Sequence, residues 1–306
     1  MLIYLAVAMI ADALIGDPKY IWSRLPHPIV IIGSFISKLD SFFNRNKNRK
    51  TKGVMIILLL IFCGYLVGFS AQCLGPIIEC ISIAILIAQK SLIKHISNVA
   101  NSLQNSISKG RQAVALIVSR DTKEMDESEI ARAAIESGAE NFADGIIAPI
   151  FWYLIGGLPM MAVYKTVNTA DSMLGYQNEK YKEFGWASAK VDDALSWIPS
   201  RLSAVILCIA GGVLDQRENI INDAKLHRSP NAGWPEAAMA YNLNIALSGP
   251  RSYDGKLEFF PWVNEEGKKT LNSEDIQTSL RLLWLGWALV LSLISIVSLI
   301  KYIYDF

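Results

Sequence analysis

Two stretches, Gly53 to Ala71 and Leu282 to Ile300, each run nineteen residues without a charged side chain. A helix of that length covers about 28 Å, close to the roughly 30 Å hydrocarbon core of a bilayer. Both are therefore expected to cross a membrane. Trp284 and Trp287 near the start of the second, with Tyr302 and Tyr304 beyond its end, sit where amphipathic rings prefer the two interfaces. Hydrophobic residues make up 52% of the chain, and they are gathered into long runs rather than spread at helical or strand spacing.

Four weaker apolar stretches accompany them: Met1 to Gly16, interrupted by Asp12; Leu74 to Ile93, carrying Glu79 and Lys90; Ile146 to Val163, broken by Gly156, Gly157 and Pro159; and Leu202 to Leu214. Short or interrupted stretches are often re-entrant or covered by other helices, because irregular backbone at membrane depth needs protein or water around it. The expectation is an all-α, polytopic integral membrane protein with four to six transmembrane or re-entrant helices and polar helical loops, forming one domain over residues 1–306. No 20 to 50 residue repeat is present, and no strand-like alternation is long enough for a sheet.

The net charge of +1 gives no case for nucleic acid as a partner. Basic residues concentrate instead at Lys38, Arg45, Lys47, Arg49, Lys50 and Lys52, which the positive-inside rule places in the cytoplasm, with membrane lipid headgroups as a further contact. No basic region precedes the first apolar stretch, so a cleaved signal peptide is not expected. Cys63, Cys73, Cys80 and Cys208 lie in apolar runs without metal-type spacing and read as small buried hydrophobes.

Ile96, Val99, Leu103 and Ile107 predict a helix with one apolar stripe, with His95 at its start as a solvated residue. Asp126 and Glu129 have the spacing of a capping box opening another helix. Its far end, ESGAENFADGIIAP, repeats carboxylates every four residues, and a continuous helix would line Glu136, Glu140 and Asp144 along one face. Like charges so spaced repel, and a bound cation would reverse this. Asp144 also leads directly into apolar sequence, where an ionisable group is a candidate for metal or ligand contact.

Further polar groups are dense in YKTVNTADSMLGY, with Lys165, Asn168, Thr169, Asp171 and Ser172, and in VDDALSWIPSRL, with Asp192, Asp193 and Arg201. Lysine can meet phosphate as a point charge, aspartate can hold magnesium alongside phosphate oxygens, and arginine can meet a carboxylate or phosphate with two parallel hydrogen bonds. Adjacent Asp192 and Asp193 point in different directions on a helix, so a single metal would be held by one of them. Proline-stiffened loops hold Asp17 and His27 near the N-terminus, and His227, Ser229 and Asn231 in HRSPNAGWPEAAMA.

Taken in order, these strings resemble the adenosylcobinamide-phosphate synthase family, membrane enzymes of cobalamin biosynthesis. The resemblance is carried by Asp12, Gly16, Asp17 and Pro18; LPHP at Leu25 to Pro28 with Gly33; ESGAEN and Asp144; NTADSMLGY; Phe184 and Gly185; Asp192 and Asp193; PSRL; and HRSPNAGWPEAAMA. Ala170, in place of a larger apolar residue, and the glycine-poor AYNLNIALSGP depart from the family pattern and bear on fine substrate preference.

The resemblance implies an ATP-dependent acid–amine ligase of the cell membrane. It would join a carboxylate of the corrinoid adenosylcobyric acid to aminopropanol phosphate or aminopropanol, with ATP and Mg2+ as cofactors and its site on the cytoplasmic side. It leaves room for association with other enzymes of the pathway and says nothing of oligomeric state. The expected catalytic groups are His27, Glu140, Asp144, Lys165, Asp171 and His227, and the expected metal ligands Asp144, Asp171, Asp192 and Asp193. Asp17, Asn141, Asn168, Ser172, Arg201, Ser229 and Asn231 are expected to bind substrate.

Two rivals stand beside this reading. DGIIA at Asp144 looks like the opening of a CDP-alcohol transferase motif, but Pro149 stands where its arginine is needed. A membrane transporter of a small anionic or corrinoid solute would use broken helices such as Ile146 to Val163, yet no matching halves are present. Topology is in tension too. If every apolar stretch crosses, a cytoplasmic basic loop puts Lys165 to Arg201 outside, away from ATP, unless Ile146 to Val163 re-enters or a neighbouring stretch fails to cross.

Overall fold

The structure, a computed structural model, describes residues 1–45, 47–253 and 256–304. The chain opens with α1 (Leu2–Ile15), α2 (Lys19–Trp22), α3 (Pro28–Phe43), α4 (Arg49–Cys73) and α5 (Pro76–Leu86). It continues through α6 (Gln89–Asn105), α7 (Ile107–Val114) and α8 (Glu127–Phe142), and a π-turn over Ala143–Ile147 leads into α9 (Ala148–Leu174). After α10 (Trp186–Leu195), α11 (Trp197–Gly211), α12 (Arg217–Ala224) and α13 (Gly233–Leu243), the long α14 (Ser273–Tyr304) closes the chain. Between α13 and α14, β1 (Leu247–Ser248) pairs antiparallel with β4 (Trp262–Val263), and β2 (Arg251–Tyr253) with β3 (Lys256–Glu258). These short clips leave the all-α class intact.

Four helical stretches are long and apolar enough to cross a membrane: Arg49–Cys73, Pro76–Asn105, Glu127–Leu174 and Ser273–Tyr304. A fifth arises if α10 and α11, bent by 45°, act as one span. That accounts for the short Leu202 to Leu214 stretch, while the first stretch makes only the fourteen-residue α1. On α4, Leu58, Phe62 and Val67 stay exposed. An apolar surface of this kind is covered by lipid in a multi-pass protein.

The chain folds into two compact units, one of residues 1–88, 148–197 and 297–306, the other of residues 89–147 and 198–296. In the first, Ile36, Leu60, Val167 and Phe184 form the centre of a core shared by α3, α4, α9 and the approach to α10. Gly64 and Gly68, four apart on α4, make its closest approach to α9: a Cβ on Gly64 would meet Thr166 Oγ1 at 2.9 Å, and one on Gly68 would meet Pro159 Cα at 2.6 Å. Without a hydrophobic driving force between helices in lipid, such small-residue seams let backbones pack closely. Gly64 meets Thr166 and Gly68 meets Pro159, so contacts move down the chain as α4 moves up it, and the two helices are antiparallel. At Gly156 and Gly157 the backbone of α9 leaves helical geometry, as the Gly-Gly-Leu-Pro string predicts. Asp12 and Glu79 are buried in this unit, Glu79 accepting a 2.8 Å hydrogen bond from the Tyr153 hydroxyl.

In the second unit, the Asp126–Glu129 capping box forms with both of its hydrogen bonds at 2.8 Å. Ile96, Val99 and Leu103 are buried as the stripe predicts, but α6 ends at Asn105 and Ser106 caps a new helix, leaving Ile107 exposed. From Ile130 to Ala139 every residue of α8 is buried, so it is a central helix rather than a surface one. Buried Arg132 ties it to the strand region, its guanidinium donating to the carbonyls of Ala246 (3.2 Å) and Lys269 (2.6 Å) and lying over the Trp262 ring. All four cysteines are free, yet of the four only Cys208 is buried, so the reading of all as buried hydrophobes is corrected: Cys73 is exposed on the apolar surface of α4.

Candidate functional site

In the first unit the two N-terminal strings meet. His27 caps α3, its Nδ1 accepting from the Ile29 amide at 3.2 Å, which leaves Nε2 to face Asp17 Oδ1 at 3.2 Å. Trp22 packs edge-on against the imidazole, with ring centroids 4.5 Å apart.

The same unit gathers the last two turns of α9 with α10. Asn168 donates to Asp192 Oδ1 at 3.3 Å, tying the two helices together, and the charge of Asp193 acts on Asp171. The adjacent aspartates diverge as expected: Asp192 is buried, and Asp193 pairs with Lys190 at 3.2 Å. The Ser172 hydroxyl bonds back to the Asn168 carbonyl, and that of Thr169 to the Lys165 carbonyl, both along α9. Among the described residues no three His, Cys, Asp or Glu side chains are placed to hold a metal by themselves. Magnesium, however, usually takes one or two carboxylates and shares phosphate oxygens, so Asp171 with Asp192 or Asp193 fits a metal–nucleotide rather than an all-protein cage.

The basic loop docks at this end of the unit. Asn44 Nδ2 donates to the Lys180 carbonyl at 3.1 Å, Arg49 Nε lies 3.5 Å from Glu183, Lys180 pairs with Asp40 at 3.1 Å, and the Lys50 ammonium sits 4.0 Å over the Trp186 ring. Residues 178–186 therefore share one end of the unit with the basic cluster.

In the second unit, PSRL meets HRSPNAGWPEAAMA. The Arg201 guanidinium stacks on Trp234, 4.4 Å from the ring centroid, with Asn231 Oδ1 at 3.5 Å. Buried Asn231 also receives the Ser200 hydroxyl. The Ser229 hydroxyl accepts from the amides of Asn231 and Ala232, both at 3.2 Å, fixing the turn that leads into α13.

The expected acidic face is not one face. Glu136 turns inward, 3% exposed, and is held by Arg120, by the Ser248 amide (2.6 Å) and by Arg251 Nη2 (3.0 Å). Two arginines and an amide of the chain itself, rather than a bound cation, relieve its charge. Glu140 is exposed, and Asn141, also exposed, donates back to the Ser137 carbonyl at 2.9 Å. Asp144 lies in the π-turn, whose wider winding breaks the four-residue register.

Beside this cluster stands a carboxyl that sequence reasoning passed over. Glu236 on α13, 3% exposed, places Oε1 3.7 Å from His227 Nε2. The approach depends on Gly233, where a Cβ would lie 2.6 Å from that of His227. His227 Nδ1 accepts from the Ser229 amide at 3.0 Å, which assigns the neutral imidazole's proton to Nε2. Burial pushes this imidazole below its ordinary pKa, with Arg251 and Arg228 adding to the effect. Burial also holds the Glu236 carboxyl well above the usual range, with the charges of Glu136 and Glu140 acting in the same direction and those of Arg251 and Arg120 against. A lone acid in the otherwise apolar WPEAAMA was the available signal for Glu236; Arg120 and Arg251 had none.

The family model described as CobD/Cbib protein matches residues 5–283. The chain is similar to the cobalamin biosynthesis protein CobD of a Sinorhizobium species, 44% identical over 299 residues that cover 91% of this chain and 92% of that one. It is likewise similar to CobD of Brucella suis (41% over 318 residues, 98% and 97% covered) and of Halalkalibacterium halodurans (40% over 291 residues, 90% of each). No solved structure matches it. Matched over most of its length by the family model and nearly end to end by these relatives, the chain belongs to the CobD/CbiB family of cobalamin biosynthesis proteins.

Proposed function

We propose that this protein is an adenosylcobinamide-phosphate synthase, joining a side-chain carboxylate of adenosylcobyric acid to the amine of aminopropanol phosphate, or aminopropanol, at the expense of ATP. The observation that carries the reading is the Asn168–Asp192 bridge, which brings the carboxylates of Asp171, Asp192 and Asp193 to the helix that also bears Lys165. A carboxylate does not accept an amine unaided at neutral pH. Magnesium-bound ATP would supply the phosphoryl group that activates it as an acyl phosphate, with metal and cations stabilising the dispersed charge.

Asp171 and one of Asp192 or Asp193 hold the metal, Lys165 meets phosphate, and His27, oriented by Asp17, is available for proton transfer in the first unit. In the second, Arg201 on its Trp234 platform receives a carboxylate or phosphate, Ser229 and Asn231 shape the turn beside it, and Glu140, Asn141 and Asp144 are assigned to substrate contact.

The cell membrane is the proposed location, with the carboxylate cluster facing the cytoplasm. Support comes from the docking of residues 178–186 on the basic loop, which the positive-inside rule keeps cytoplasmic. Because α9 runs antiparallel to α4, an even number of crossings separates them. With α4 and α9 as antiparallel spans, the end of α9 that bears Lys165 and Asp171 returns to the side of the basic loop, the side this reading needs for ATP.

The break in α9 at Gly156 and Gly157 favours one second reading, a transporter with a midplane site. Purified protein given adenosylcobyric acid, amine and magnesium-ATP separates the two. A synthase makes the amide, and Asp171→Asn lowers the rate at least about 100-fold; a transporter makes none but moves solute into proteoliposomes. Full ligation by inserted Asp171→Asn removes that residue from the mechanism.

A further inference from the structure

We infer that Glu236 binds the ammonium of the amine donor and takes its proton, with His227 as the residue that positions it; this rests on the proposed synthase reading. Glu236 Oε2 is buried with no hydrogen-bond partner among the described residues. A buried acceptor left unmade costs about 1–3 kcal/mol, a cost that a ligand supplying the donor removes. Nearby cations do not fill the role. Arg120 and Arg251 are engaged with Glu136, and His227 faces the other oxygen, Oε1.

The chemistry of the missing donor follows from the charges around it. Arg120 and Arg251 act against the charge of Glu136 and are spent on it, whereas Glu140 also bears on Glu236 and pairs with neither, so a positively charged N–H group suits Oε2 better than a hydroxyl. Exposed Arg228 lies over Phe260, as does Arg251 from the cluster, giving the same region a cationic edge. A small zwitterion with an ammonium at one end and a phosphate at the other matches both.

The ammonium donates to Oε2 and passes one proton to it, leaving a neutral amine. The freed nitrogen lone pair forms the C–N bond as the C–O bond of the acyl phosphate breaks. Phosphate leaves with that bonding pair and accepts the second nitrogen proton, and Glu236 returns its own proton to water. His227, holding Nε2–H toward Oε1 through the Ser229 amide bond at Nδ1, keeps the carboxyl turned so that Oε2 faces the amine.

Full-length protein in detergent tests this with the amine varied at saturating corrinoid and ATP. Glu236→Gln should lower kcat/KM for the amine about 100-fold or more while leaving KM for the corrinoid unchanged. Glu236→Asp should recover part of the loss. In wild type the rate should rise with pH through a group titrating well above an ordinary carboxyl, and this acid limb should disappear in Glu236→Gln and shift in His227→Asn. Calorimetry on wild type alone, in buffers of different ionisation heat, should show proton release when the amine binds. Unchanged amine kinetics and pH profile in Glu236→Gln, or amine binding without proton release, would overturn the inference. Failure of wild type to form any amide would instead overturn the synthase reading itself.

Discussion

Arg251 reaches back 115 positions along the chain to place Nη2 3.0 Å from Glu136 Oε1, with both side chains less than a tenth exposed. Arg120 holds the other oxygen, so the carboxylate is fixed from the segment that precedes α8 and from β2. Removing one partner of a buried pair leaves an uncompensated charge and costs about 3–5 kcal/mol. Glu136→Gln should therefore unfold at a clearly lower temperature in detergent, and Arg251→Met should do the same. A double variant that loses no more than either single one would show that the two act as a unit.

The α4–α9 seam makes a prediction of opposite character, because there crowding rather than charge is at stake. A Cβ at Gly68 would press on backbone atoms of Leu158 and Pro159, so Gly68→Val should destabilise the protein by about 1–3 kcal/mol. At Gly33 the nearest atom is the flexible Met173 Sδ at 3.4 Å, and Gly33→Ala should be close to neutral in the same melting assay.

His227 and Glu236 should give stability terms of opposite sign. Folded His227 has a lowered pKa, so as pH falls through about 6.5 the unfolded chain takes a proton that the folded one refuses, and stability drops. Folded Glu236 has a raised pKa, so as pH rises above about 4.5 the unfolded chain gives up a proton that the folded one keeps, and stability drops in that direction. Relative to wild type, Glu236→Gln should lose more stability on acidification from pH 7 to 5, and His227→Gln less. Identical pH dependence of the three melting curves would contradict this assignment.

Sidedness can be read by labelling. Ser188, on α10 close to the basic loop's docking site, is 3% exposed and unsuited to the purpose. Exposed Glu179 and Lys47 serve better. With the four native cysteines replaced, Glu179→Cys and Lys47→Cys should both resist a membrane-impermeant thiol reagent in intact cells and both react after lysis. Labelling of the Glu179→Cys variant alone in intact cells would place the two loops on opposite sides.

What the chain's letters disclosed follows from the range of the forces involved. Spans, the capping box at Asp126 and the glycine break in α9 are set within a few residues, and all are present as expected. The meetings of Asp17 with His27, of Arg201 with Asn231 and of Asn168 with Asp192 join strings singled out for their density of polar groups. The fate of Glu136 could not be foreseen, because its partners lie 16 and 115 residues away in segments without a pattern. Its neighbour Glu236 was hidden for a related reason: a single acid among alanines has no periodicity, and only the packing of α13 on His227 gives it a role.

The central claim, activation of a corrinoid carboxylate by ATP before an amine attacks it, is tested most directly by following oxygen. Adenosylcobyric acid labelled with heavy oxygen in its reacting carboxylate should transfer one labelled atom to inorganic phosphate for each amide formed, with one ATP consumed. Amide formation that leaves the label out of phosphate, or phosphate release without amide, would contradict it.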